Sequence, residues 1–347
     1  MQNFIFILLL FFQASYASAD LEEWVQTFVL ENKQIKIPGH PHAFNPSIVC
    51  WKNRRLLSFR EIDSKQEISP LSSISHSKIG LVWLDEEFNP LCAPQFLDLG
   101  KQMQSEDARL LVIQDKLCLV YSGNSNKIID DEGFRVYVAE IDLDGECFFV
   151  VHNECMSLFN GGNKNRREKN WVPFEYEGDL LLAYSLVPHK IFKPRLDHSK
   201  ICDLIEEQMP SIVWDWGELR GGTPALPIND EYYLSFFHSS VHLASIHSNN
   251  IEMPHYFIGA YLFTRSYPFE IKQISPEPIT GPFFYRGLRY EPYWHPVQVV
   301  FPCGYIFDEN YIWLTYGRQD HEMWVVKLDR DELMESFINV STIRRKP

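Results

Sequence analysis

Two acids and an arginine stand together in Ser105-Glu106-Asp107-Ala108-Arg109-Leu110, directly ahead of the apolar run Leu110-Leu111-Val112-Ile113. Three charges at the start of a strand are costly to desolvate unless they face a cavity or pair with one another. A carboxylate in such a place can hold or deliver a proton, tuned by its charged neighbours. Asp107 is therefore the candidate proton-handling residue. Other polar side chains stand at comparable strand ends: Asn45, Arg60, Lys169 and Asn170, then Arg220, Thr223, His238, Arg318 and Asp320. Such a set offers carboxylates for acid–base chemistry. It also offers cations with convergent N–H donors for an anion such as phosphate.

These residues need a scaffold that brings distant segments to one place. Five stretches share a layout: a short polar or Pro/Gly-containing motif, an apolar strand, an acidic or Asn turn, then a second apolar strand. They open at Ala43-Phe44-Asn45-Pro46, Glu106-Asp107-Ala108-Arg109, Lys169-Asn170-Trp171, Arg220-Gly221-Gly222-Thr223-Pro224 and Val299-Val300-Phe301-Pro302. A repeat at roughly 50–80 residues points to a repeated supersecondary unit. Four-stranded units around a central channel make a β-propeller, so the expected fold is all-β, a single five-bladed propeller over residues 20–347. The polar openings then meet at the channel mouth. A β-sandwich would give no reason for a polar motif at every opening. The stretch before Ile37 is expected to complete the last blade, and a short helix is expected within residues 329–338.

The chain of 347 residues is 45% hydrophobic and 14% aromatic, ample for a core, with a formal net charge of −14. That balance argues against nucleic acid or an anionic membrane as partner, since both select a basic face. Residues 1–19 have the form of a secretory signal: Phe4 to Phe12 is unbroken and apolar, and Ala17-Ser18-Ala19 fits a small-x-small cleavage site. A secreted or periplasmic protein is expected. The seven cysteines are odd in number and lack metal-type spacing, so no disulfide framework is expected, one or two bridges apart. His40 and His42 have no carboxylate or cysteine at matching spacing, and no metal or other cofactor is expected.

In family order, several of these motifs resemble glycoside hydrolase family 130. They are Asn45-Pro46 with Phe59-Arg60, Glu106-Asp107-x-Arg109, Lys169-Asn170-Trp171 and Gly221-Gly222-Thr223-Pro224. Phe236-Phe237-His238, Gly259-Ala260, Val300-Phe301-Pro302-Cys303-Gly304 and Tyr316-Gly317-x-x-Asp320 complete the set. The resemblance covers essentially the whole mature chain. It implies inverting cleavage or formation of β-mannosidic bonds on a five-bladed propeller, with phosphate as co-substrate. Asp107 then matches the catalytic acid, protonating the leaving oxygen through a mannose hydroxyl. Lys169 and His238 fall on phosphate-side motifs, with Arg220 and Arg318 as further phosphate candidates. Asp320, Asn170 and Thr223 would hold sugar hydroxyls, and Asn45, Arg60, Glu106 and Arg109 would orient the sugar or Asp107.

The pattern departs from the family in places. Ala108 replaces the usual proline, and Arg166, Arg167, Arg220 and Arg318 compete for the phosphate-binding roles. An export signal also fits poorly with phosphorolysis, whose sugar phosphate is of use in the cytoplasm. Hydrolysis, with Glu168, Glu175 or Glu291 activating water, is the main alternative. A mannosyltransferase and a non-catalytic glycan-binding propeller are the others. Trp171, Tyr290 and Trp294 are candidates for stacking on a sugar face, or equally for the core.

Overall fold

The computed structural model describes residues 25–62, 77–100, 104–124, 133–159, 167–245, 248, 250–285 and 298–343. The signal-like leader lies outside these, as do Arg166, Tyr290, Glu291 and Trp294.

The chain folds as five antiparallel meanders. The first blade contains Ala43–Trp51, Arg54–Ile62, Ser77–Leu84 and the short Gln95–Phe96. The second contains Gln104–Ile113, Lys116–Asn124, Phe134–Asp144 and Cys147–Met156, and a parallel pairing of Ser77 with Gln104 joins it to the first. The third runs through Val172–Tyr176, Asp179–Ser185, His189–Pro194 and Ile201–Ser211. In the fourth, Tyr232–Leu243, Met253–Thr264 and Ile271–Ile274 follow an inner strand that survives only as Arg220–Gly221 and Leu226–Pro227. The break falls at Thr223-Pro224, where proline has no N–H for the ladder. The fifth combines Val300–Asp308, Tyr311–Arg318 and Glu322–Asp329 with Val29–Ile35 from the start of the chain.

Each blade packs on the next in chain order, and Ala43–Trp51 packs on Val300–Asp308, which closes the ring. Five buried apolar clusters occupy the five seams, so the core is a set of inter-blade layers. This explains the unbroken apolar runs. An inner strand is covered on both faces, so both faces must be apolar. Leu110 packs into the seam with the first blade, with Trp51 and Trp83, while Leu111 packs into the seam with the third, with Leu182 and Phe192. Acidic and amide turn residues also fit their places. Lys52-Asn53 and Gln114-Asp115 both take left-handed backbone, as a two-residue hairpin turn requires.

The expected helix is Arg330–Glu335, and Asp329 caps it by accepting from the backbone N–H groups of Asp331 and Glu332. Beyond it, Ile338–Asn339 pairs with the fourth blade and Ser341–Ile343 with the third. All seven cysteines are free thiols. Among the described residues no helix is long and apolar enough to cross a membrane.

Candidate active site

The inner strands of the first two blades open with the same device. Each gains one residue against its partner, between Phe44 and Ser47 and between Glu106 and Arg109. Asn45 (φ 50°) and Asp107 (φ 52°) sit in these bulges with left-handed backbone. Asn170 (φ 64°) does the same just ahead of the third blade's inner strand, and Asp320 (φ 52°) in the turn after Tyr311–Arg318. Asn and Asp adopt this conformation more readily than other residues with a Cβ, and a bulge re-aims a side chain out of the ladder. All four side chains line one cavity of 740 Å³.

Asp107 is fixed from two sides. Asn45 Nδ2 donates to Asp107 Oδ1 at 2.8 Å, and Arg60 Nη1 lies 3.7 Å from the same oxygen. Behind it, Arg109 Nη1 donates to the Asp107 carbonyl at 2.9 Å and Nη2 to Asn170 Oδ1 at 3.1 Å, while Nε donates to the Gly222 carbonyl. Arg109 is 1% exposed and does not line the cavity. Of the two roles expected for it, orienting the sugar or orienting Asp107, its contacts are those of the second: it holds the Asp107 backbone and ties the second blade to the third and fourth.

Glu106 lines the cavity with both oxygens already engaged. Arg60 Nη2 donates to Oε1 at 2.7 Å, and Lys169 Nζ donates to Oε2. Burial acts to raise its pKa, but Arg60 and Lys169 outweigh it and hold the carboxyl well below the usual range. Burial likewise acts to lower Arg60, yet Glu106, Asp107 and Asp320 together keep that guanidinium above its ordinary value. Lys169 is drawn below its usual value, chiefly by burial, against the pull of Glu106.

Asp320 differs from these. No hydrogen bond reaches its carboxyl from a described residue, and its pKa is pushed up to about 6, first by burial, with the negative charges of Asp107 and Glu106 adding to that rise against the lowering effect of Arg60. His238 is pushed down to about 3 by burial, with Arg109 and Arg220 adding, so its ring is neutral. That ring stacks on Tyr256 with centroids 5.9 Å apart and lies 4.6 Å from Phe301. Its Nδ1 has no hydrogen-bond partner among the described residues.

The cationic wall is formed by Arg167, Lys169 and Arg220. Lys169 and Arg167 lie over the Phe134 ring at 3.8 and 4.5 Å. Arg220 Nη2 donates to Glu218 at 2.9 Å, and Glu168 and Glu218 line the cavity as well.

Two expected contacts lie elsewhere. Thr223 is fully buried, its hydroxyl donating to the Pro224 carbonyl and accepting from the Phe236 N–H. It stabilises the interrupted strand and does not face the cavity. Arg318 does not line the cavity: Nε donates to Glu322 Oε2 at 2.5 Å, Nη1 to the Phe283 carbonyl at 2.8 Å, and the guanidinium covers Trp324. Glu175 accepts from the Gly178 N–H in its hairpin turn and is no cavity group. Trp171 reaches the cavity wall but packs among Phe159, Tyr184 and Phe192. His40 pairs with Glu61 at 2.9 Å. Tyr256 and Glu218 were missed by sequence reasoning. Tyr256 reaches the cavity from the third strand of its blade, opposite Ser240, where no opening motif marks it.

Solved structures of similar fold include a mannose phosphorylase, MPT-4 from Leishmania mexicana, in complex with phosphate ion. It is 12% identical, with a TM-score of 0.58, covering 95% of this chain and 96% of that one. A β-1,2-mannobiose phosphorylase from Listeria innocua, in complex with β-1,2-mannobiose, gives 15% identity and a TM-score of 0.57 over 90% and 94% of the two chains. A glycosyl hydrolase from Bacteroides ovatus gives 14% and 0.54 over 90% and 94%. At these identities the likeness establishes the fold alone. No curated protein is significantly similar to the chain. Residues 16–338 match the family described as beta-1,4-mannooligosaccharide phosphorylase, and that match spans nearly the whole sequence carrying the five blades and the Asp107 cavity: the chain belongs to glycoside hydrolase family 130.

Proposed function

We propose that this protein is an inverting β-mannoside phosphorylase that uses Asp107 as its acid and inorganic phosphate as acceptor. The observation that carries this reading is the seat of Asp107. Its carboxyl is clamped by Asn45 within a cavity that is also lined by Arg167, Lys169, Arg220 and neutral His238. Preorganised acid and anion donors in one partly desolvated site are what glycosyl transfer to phosphate requires. The ligands named for the Leishmania mexicana and Listeria innocua proteins, phosphate and mannobiose, are the two that this cavity is taken to accept.

In this reading mannose lies over the first and second blades, with its hydroxyls held by Asn45, Arg60, Asn170 and Asp320. The Asp107 proton passes through a mannose hydroxyl to the glycosidic oxygen as the bond from that oxygen to C1 breaks. A phosphate oxygen forms the new bond to C1 from the opposite face. The proton released by hydrogen phosphate restores Asp107, and the products are mannose 1-phosphate and the freed sugar. Glu106 stays ionised between Arg60 and Lys169 and keeps both cations in place.

A second reading replaces phosphate by water. Glu168 and Glu218 favour it, because they add carboxylates to the lining of the same cavity and one of them could take the proton of an attacking water. Incubation with β-mannobiose in the presence and absence of phosphate separates the two. Mannose 1-phosphate formed only with phosphate supports phosphorolysis. Free mannose formed at the same rate without phosphate rejects it. Export remains part of the proposal, and N-terminal sequencing of the mature protein from its native host tests it: a start at Asp20 supports a cleaved leader.

A further inference from the structure

We propose that the seam between the second and third blades carries a binding site for a zinc-like divalent cation, built from His152, Glu154 and His198. His152 and Glu154 are two residues apart on the outermost strand Cys147–Met156, so their side chains share a face. Cys155 points the other way, toward Tyr137. His198 belongs to the turn between His189–Pro194 and Ile201–Ser211, where it takes left-handed backbone (φ 67°). One ligand atom from each of the three lies within 4.8 Å of the others. His152 Nε2 is 3.1 Å from Glu154 Oε2, and the two imidazole centroids are 5.0 Å apart.

The carboxylate is oriented as a ligand should be. Glu154 is 3% exposed, and the His198 and Lys200 N–H groups donate to its two oxygens at 3.0 and 2.8 Å. Oε1 keeps a further lone pair, the second lone pair of Oε2 faces His152 Nε2, and such outer contacts fix a ligand's direction. The cluster opens on a groove of 620 Å³, which leaves room for water in the remaining coordination positions. Two imidazoles and one carboxylate favour Zn²⁺, Co²⁺ or Ni²⁺ over the oxygen-seeking Mg²⁺ and Ca²⁺.

A bound cation would join the last strand of the second blade to a turn of the third. Close by, Leu158–Phe159 already pairs with Ile201 and Cys202, and Phe159 packs on Trp171 of the cavity wall. The cation would thus staple the blade bearing Asp107 to the blade that follows Lys169 and Asn170.

The test is titration of metal-free protein with Zn²⁺ by calorimetry and with Co²⁺ by visible absorption. One equivalent is expected, with Co²⁺ bands that lack thiolate charge transfer. At about 100-fold excess over Kd the melting midpoint should rise by about 3–6 °C. His198→Ala removes an exposed turn side chain and should weaken binding at least about 10-fold. His152→Ala should do the same, and both should lose the thermal shift. Absence of saturable one-equivalent binding overturns the proposal. So does binding that survives both substitutions, or cobalt bands dominated by thiolate.

Discussion

Gly317 stands so close to Asn45 that a Cβ built on it would overlap the Asn45 amide oxygen. The same amide donates to Asp107. A glycine on the fifth blade therefore sets the clamp on an acid of the second. Gly317→Ala should push the Asn45 amide aside, and kcat/KM on β-mannobiose should fall by about 10-fold, about 1.4 kcal/mol of transition-state stabilisation. Overpacking should also lower stability by about 1–3 kcal/mol, seen as a drop of a few degrees in calorimetry. A lowered melting point with unchanged turnover would mean that Asn45 does not govern Asp107.

Asp107→Asn preserves left-handed backbone and an acceptor for Asn45, so the fold should stay intact. Losing the proton donor should reduce kcat on the order of 10²–10⁴-fold. Mannoside binding by calorimetry should be little changed. Turnover within about threefold of wild type would place the acid elsewhere. A wild-type protein that binds mannosides yet never turns them over, forward or in synthesis from mannose 1-phosphate, would instead be a glycan-binding propeller.

Glu106 lies between two half-buried cations, so removing its charge takes the carboxylate partner from Lys169 and leaves Arg60 with the more distant Asp107. Glu106→Gln should cost about 3–5 kcal/mol, read from denaturant midpoints. Adding Lys169→Met should restore part of that loss, because the two residues are coupled through one hydrogen bond. Equal, additive losses would argue that the pair is not the source.

Asp320 gives a pH signature of definite sign. Its carboxyl titrates at about 6 in the folded chain against an ordinary 3.8, so between these values the native state binds more protons than the unfolded one. Stability from this group therefore falls as pH rises from about 4 to about 6, by at most about 3 kcal/mol and less to the extent that water in the cavity screens it. His238 and His189 are held down, at about 3 and about 4, and act in the opposite sense as pH rises toward 6.5. The Asp320 contribution is thus read as the difference between wild type and Asp320→Asn. That difference should shrink steadily below pH 5; a difference that grows on acidification would contradict the raised pKa.

Much of the ring was legible because its period is written into the chain. Asn45-Pro46, Glu106-Asp107 and Lys169-Asn170 each open an inner strand or its approach, and all of these residues but Pro46 line the cavity. Facing was less legible than position. Arg318 ends a strand whose neighbours alternate sides, and it turns to Glu322, which like itself does not line the cavity. Thr223 sits in the right segment, but its hydroxyl is consumed by a backbone that proline leaves short of one donor. Tyr256 depends on how far Met253–Thr264 extends past Phe257, a tertiary matter that no local spacing encodes. Likewise, His198 meets His152 and Glu154 only because two blades abut, and their separation along the chain offers no metal-type pattern.

The strand Val29–Ile35 is made nearly three hundred residues before its partner Glu322–Asp329. In a chain that emerges from its N-terminus, this segment must wait, edge exposed, through the synthesis of some three hundred residues before its neighbour exists. The ring therefore cannot close before Glu322–Asp329 has been made, and a product truncated ahead of Val300–Asp308 stops as an open arc without the Phe301 that lines the cavity.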